Sequence, residues 1–107
     1  MDFWATWCGP CRQIMPALQK LHEKYKDQGA VVIGMNCWES GDPLAYMKDK
    51  GFNYGLIMNA DEAAKAYGVS AIPTLYVIGK DGKVVHRSVG ADSVEDLEAA
   101  IQKALQN

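Results

Sequence analysis

The stretch Asp2-Phe3-Trp4-Ala5-Thr6-Trp7-Cys8-Gly9-Pro10-Cys11 decides how the rest of the chain reads. Two cysteines stand three apart where a short apolar strand gives way to an amphipathic helix. The first turn of a helix carries N–H groups without intrahelical partners and the positive end of the helix dipole, so a sulfur there is favoured as thiolate. A thiolate is the attacking species in disulfide exchange, and a second thiol one turn along can release what the first has trapped. Pro10 suits the first helical turn, where its missing N–H is no loss and its fixed φ is already helical. Gly9 leaves the backbone beside Cys8 open to a partner chain. The CxxC spacing serves zinc as well as thiol exchange, and a strand-to-helix junction in an α/β chain favours the latter.

Working outward, 107 residues make one domain with room for a core. The net charge of −2 is dispersed, with no basic cluster for nucleic acid and no charged tail for an electrostatic partner. No apolar run approaches the length of a membrane-spanning helix, and nothing at the start resembles a signal peptide. Three cysteines are too few for a disulfide-built scaffold. Zinc wants four ligands, and Cys37, His22 and His86 stand at no usual partner spacing from the pair.

Met1 to Ala5 reads as a strand with Phe3 and Trp4 on opposite faces, both large and apolar, which fits a strand covered on both sides. It is short for such a strand, so an upstream continuation is expected. From Pro10 to about Tyr25, Ile14, Leu18, Leu21 and Tyr25 mark one face of a helix that Pro16 should kink and Gly29 should follow. Residues 31–37 (VVIGMNC) suit a buried parallel strand. Asp42-Pro43 opens a short helix ending at Gly51, residues 53–58 form a further strand, and Asp61 caps an alanine-rich helix ending at Gly68. Residues 74–78 and 83–89 are strands joined by the turn Gly79-Lys80-Asp81-Gly82. Ser93, with Asp96 three residues on, starts a last helix whose stripe is Val94, Leu97, Ile101 and Leu105. The fold class is α/β. Right-handed crossovers put strands 31–37 and 2–5 parallel and adjacent, with chemistry at their carboxyl ends, where Cys8 falls.

The string Asp2 to Cys11, Pro16 five residues after the second cysteine, Ile72-Pro73-Thr74 and Gly79-Lys80-Asp81-Gly82-Lys83 together resemble the thioredoxin-fold thiol–disulfide oxidoreductases over nearly the whole chain. The extra helix and strand of about Trp38 to Asn59 resemble the TlpA/ResA branch, as do Asn36 with Glu39-Ser40 and Gly68-Val69-Ser70. The resemblance implies a central mixed sheet flanked by helices, with the inserted strand at the sheet edge beside 31–37. It also implies that the family's opening strand and helix are missing from this chain. ResA-type proteins carry an acid three residues after the second cysteine, where this chain has Ile14. Asp2 stands instead where thioredoxins have a buried acid, and Gly34 aligns with the lysine that accompanies that acid.

By this resemblance Cys8 is the exposed nucleophile and Cys11 the shielded resolving thiol, cycling through a Cys8–Cys11 disulfide. Asp2 is a candidate proton acceptor for Cys11 through a water, its pKa raised by desolvation toward neutrality. Pro73 matches the family's cis-proline, and its neighbour Ile72 would bond an extended substrate segment by strand addition. Trp7, Gly9 and Pro10 complete the docking surface. Cys37 reads as a buried free thiol, with an extra thiol on the active-site side as the alternative; Glu39 reads as a solvated loop carboxylate, with the missing acid near the disulfide as the alternative; His22 and His86 read as surface residues. Protein disulfides are the implied substrates, an upstream dithiol the reductant, with no cofactor or metal. The Gly-Pro dipeptide matches the reducing members and implies a low potential. An extracytoplasmic bacterial location, periplasmic or membrane-anchored, is implied, with the cytoplasm as the second possibility. The chain is expected as a monomer, or as a dimer through a bare sheet edge. Three rivals have specific marks. A peroxidase would place Thr or Ser where Ala5 stands, a copper-handling metallochaperone would use CxxxC with a histidine, and a non-catalytic fragment or interaction module would lack turnover.

Overall fold

The computed structural model describes residues 1–91 and 94–106, in the order β1 (Asp2–Trp4), α1 (Gly9–Tyr25), β2 (Ile33–Asn36), α2 (Pro43–Lys50), β3 (Gly55–Ile57), α3 (Asp61–Ala66), β4 (Thr74–Ile78), β5 (Val84–Val89) and α4 (Val94–Gln106). Among the described residues the strands form one mixed sheet in the order β3-β2-β1-β4-β5. β1 lies parallel to β2 and antiparallel to β4, while β3 runs parallel to β2 on the outside. The inserted strand therefore occupies the sheet edge, as its sequence implies. The proposed capping box at Ser93 lies outside the described residues.

Two-residue alternation along β1 divides the core. Trp4 packs under α1, α2 and α4 with Ile14, Met15, Leu18, Met47, Tyr54 and Leu97. Phe3 points the other way, to Met35, Cys37, Ala64 and Tyr76 on the α3 side. Helix α1 continues through Pro16, and a turn of 3₁₀ helix, Lys26–Gln28, ends at Gly29 with φ of 103°, a left-handed value open to glycine. The hairpin between β4 and β5 closes through the Gly79 N–H to Lys83 carbonyl bond.

Several elements differ from the sequence reading. Strand 31–37 shortens to 33–36 and strand 53–58 to 55–57, because Val31 is exposed and Asn53 is engaged by the side chain of Gln19 on α1 instead of a neighbouring strand. Asp61 does not cap its helix. Ala60 holds the cap position without a side-chain bond, and the Asp61 carboxylate accepts the Trp38 N–H at 2.8 Å. His22 is half-buried, its Nδ1 accepting the Val32 N–H at 3.2 Å.

Glu39 departs furthest from expectation. Its carboxylate accepts from the Thr6 N–H and hydroxyl, the Asn36 amide and the N–H groups of Ser40 and Gly41. Burial alone would raise its pKa, but these donors outweigh that and bring it down to about 2. The carboxylate thus staples the inserted loop to the residues just before Cys8. Replacing it with glutamine removes the charge from a site built of donors. Glu39→Gln should lose about 2 kcal/mol in urea unfolding at pH 7. Because the folded pKa is depressed, the stabilisation is present above the ordinary value of 4.5 and fades as pH falls toward 2. The two proteins should therefore converge in acid.

Candidate active site

β1 ends at Trp4, and the chain turns through residues 5–8 before α1 begins. The Cys8 N–H bonds the Ala5 carbonyl, which fixes that turn. Cys8 is the N-cap of α1, with extended backbone, and its Sγ accepts the Cys11 N–H at 3.2 Å. Sulfur here does what a cap oxygen usually does, satisfying one of the free N–H groups of the first turn. The same bond would stabilise a Cys8 thiolate, with the helix dipole adding in the same direction. Cys8 and Cys11 are joined as a disulfide.

Cys8 is only 4 % exposed, a correction to the exposed nucleophile of the sequence reading. Its sulfur is bonded to Cys11 and lies 3.6 Å from the Ile72 carbonyl oxygen across the groove, so the loop before β4 covers it. Cys11 is fully buried, whereas Gly9 and Pro10 are exposed. The Ile72–Pro73 peptide is cis, Pro73 is buried, and its carbonyl accepts the Gly90 N–H at 2.8 Å. Ile72 is therefore the part of this loop whose backbone faces the disulfide.

Trp7 is 53 % exposed and its indole donates to the Trp38 carbonyl at 2.7 Å. Trp38 itself sits at φ of 53°, held by Asp61, and is partly exposed. The inserted loop thus adds a second tryptophan to the rim, one that sequence reasoning did not single out. Its signal was available in retrospect, since a large apolar residue opening an insertion after a buried strand has no core position to fill.

Asp2 is 1 % exposed on β1, on the same sheet face as Trp4 and the disulfide-bearing helix. Neither carboxylate oxygen has a hydrogen-bond partner among the described residues. Burial pushes its pKa up to about 7, opposed by the nearby amino terminus. One side of Asp2 borders a cavity of about 440 Å³ walled by apolar side chains including Leu18, Val77 and Ile101. None of Cys8, Cys11, Ile72 or Pro73 lines that cavity, so a target disulfide has no access to the sulfurs through it. Cys37 is buried on the opposite sheet face, away from the pair, and burial raises its thiol to about 11. A thiol so raised is protonated and inert at neutral pH.

Together these residues form a dithiol/disulfide pair at a helix start, a backbone edge facing it and an apolar rim, with a buried acid on the sheet face that α1 covers. Known proteins share this frame. Residues 1–87 match the AhpC/TSA family. The chain is 32 % identical over 105 residues to the thiol-disulfide oxidoreductase ResA of Bacillus thuringiensis, covering 96 % of this chain and 61 % of that protein. The ResA of Bacillus subtilis is 34 % identical over 87 residues, covering 79 % of this chain and 49 % of that protein. The chain therefore spans less than two thirds of the length of these relatives. Among solved structures, a thiol:disulfide interchange protein of the thioredoxin family from Chlorobium tepidum superposes with a TM-score of 0.86 at 30 % identity, covering 97 % of this chain and 77 % of that one. A secreted thiol-disulfide isomerase from Corynebacterium glutamicum gives 0.87 at 25 %, covering 99 % and 69 %. On the match over residues 1–87 and this shared fold, the chain belongs to the AhpC/TSA family of thioredoxin-like proteins.

Proposed function

We propose that this chain is a thiol–disulfide oxidoreductase that reduces protein disulfides through Cys8 and Cys11. The observation that carries the reading is the pair itself, with Cys8 capping α1 and its sulfur opposite the Ile72 carbonyl. In the reduced state the Cys8 thiolate attacks one sulfur of a target disulfide, forming a mixed disulfide and expelling the other sulfur as thiolate. Cys11 then gives up its proton through a water to Asp2 and attacks the Cys8 sulfur, expelling the second target thiolate. Two electrons have moved from the pair to the target, and the Cys8–Cys11 disulfide remains. An upstream dithiol returns the electrons by the same exchange in reverse. Ile72 would align the target as an added strand, with Pro73 holding that edge and Trp7, Gly9 and Pro10 forming the surface beside it.

Membership in the AhpC/TSA family does not by itself imply peroxidase chemistry. The position three residues before Cys8 is Ala5, fully buried and without a hydroxyl, and the nearby Thr6 hydroxyl is committed to Glu39. The likeness to a secreted isomerase supports an extracytoplasmic location for the bacterial protein. No helix among the described residues is long and apolar enough to cross a membrane. We read the chain as one domain, a monomer or a dimer through an outer strand.

The test is reduction of insulin by catalytic protein with dithiothreitol as electron source, in wild type and Asp2→Asn. Wild type should accelerate the reaction well above dithiothreitol alone, and no acceleration would contradict the proposal. Loss of a positioned proton acceptor should slow the Cys11 step roughly 100-fold at pH 7, read as release of a preformed mixed disulfide. An unchanged pH profile for that step would remove Asp2 from the mechanism.

A further inference from the structure

The row Leu75, Asp2, Gly34 and Leu56 crosses four strands in register, and Gly34 alone in it has no side chain. Residues opposite one another share a face, as do residues two apart on one strand. Trp4 therefore lies on the face of Asp2, and Tyr54, the residue before β3, joins Trp4 in the core cluster beneath α1. A Cβ on Gly34 would stand 2.8 Å from the Trp4 indole nitrogen, so the indole occupies the space a side chain would take. Strands lie about 4.8 Å apart, which puts Asp2 and the strand following Tyr54 about 10 Å apart at the backbone. A tyrosine reaching inward over a glycine covers most of that span.

This region holds both Asp2 carboxylate oxygens, the Trp4 indole N–H and the Tyr54 hydroxyl, all buried and without hydrogen-bond partners among the described residues. Buried polar atoms are nearly always bonded to protein or to ordered water. The inventory is complementary. An indole only donates, a phenol donates and accepts, and an ionised carboxylate only accepts. A water can take the two donations and pass its own protons to the carboxylate.

We infer that Asp2, Trp4 and Tyr54 form a closed polar site over Gly34 that binds internal water, and that Tyr54 is a positioning residue donating through this water to the Asp2 carboxylate. The inference rests on the reading of Asp2 as the proton acceptor of Cys11. The groups that face Asp2 are few. The amino terminus of Met1 is tied to the Tyr76 carbonyl, and Cys37 lies through the sheet. Tyr46 of α2 packs its ring against Trp4 and interacts with Tyr54, α1 carries the disulfide, and β4 presents Leu75. Across the adjoining cavity, Tyr25 is bonded to Glu98 and Lys80 to the Leu105 carbonyl.

Tyr54→Phe keeps the ring and removes the donor. The measurement is the Asp2 carboxyl midpoint by carbon-13 NMR titration of the oxidised chain, with magnetisation transfer from water to the Trp4 indole N–H as a second readout. Loss of the donor should raise the midpoint by about 0.5 unit or more, and wild type should show a long-lived water at the indole. A midpoint within about 0.2 unit of wild type, well below what a lost hydrogen bond to a charged group produces, overturns the role of Tyr54. Absence of that water in wild type overturns the water site. Both are read on Asp2 and Trp4 directly, so they stand apart from the Cys11 kinetics that test the proton-acceptor role.

Discussion

Reduced Cys11→Ser, mixed with a disulfide-bonded protein, is expected to accumulate as a covalent adduct through Cys8, while Cys8→Ser is expected to lose reduction at least about 1000-fold and to form no adduct. The asymmetry follows from where each sulfur stands. Cys8 holds the cap position of α1, where its sulfur accepts the Cys11 N–H and meets the positive end of the helix. Cys11 is fully buried in the first turn, without a route to an incoming protein. In the proposed cycle its work would begin only when the mixed disulfide brings a sulfur–sulfur bond to it. Serine at position 11 leaves the first attack intact and removes the second, so the trapped species should be stable to non-reducing electrophoresis and released by dithiothreitol. Equal trapping by the two variants would contradict this division of labour.

Asp2→Asn should gain on wild type in stability by about 4 kcal/mol between pH 4 and pH 8, from a folded carboxyl raised to about 7 against an ordinary value of 3.8. The sign comes from the raised pKa. Below about 3.8 the carboxyl is protonated in both folded and unfolded chains and the titration contributes nothing. Between 3.8 and 7 the folded chain holds a proton that the unfolded chain has released, so stability falls as pH rises. Above 7 the folded chain carries a buried charge and the penalty is complete. A change of that size is a large part of the 5–15 kcal/mol typical of a domain, roughly. The quantity to follow is the difference between the two proteins in urea unfolding of the oxidised state, because Glu39 and other carboxylates titrate alike in both and cancel. Parallel curves from pH 4 to 8 would mean that the folded Asp2 carboxyl is ionised across that range, with no raised pKa.

Periodicity carried much of this architecture. Phe3 and Trp4, adjacent and both large, required a strand covered on two faces, and β1 divides the core in that way. The CxxC at a strand-to-helix junction marked the candidate site, because helix starts favour thiolates wherever they occur. What escaped the sequence depended on contacts between distant segments. Glu39 reads as a loop carboxylate until Thr6 is brought to it across 33 residues, and Asp61 reads as a cap until Trp38 turns its N–H toward it. The cover over Cys8 needs the Ile72 loop in place, a contact 64 residues apart in the chain. Gly34 was legible as a missing lysine, but the indole that fills its space comes from Trp4 on the neighbouring strand β1, which no local pattern joins to it.

The most direct test of the central claim is a single turnover. Reduced protein is mixed with one equivalent of a disulfide-bonded protein, quenched by acid and alkylation, and mapped by mass spectrometry. One Cys8–Cys11 disulfide should form for each target disulfide opened, with Cys37 remaining a free thiol. Target reduction with Cys8 and Cys11 still alkylated as thiols, or oxidation that involves Cys37 instead, would contradict it.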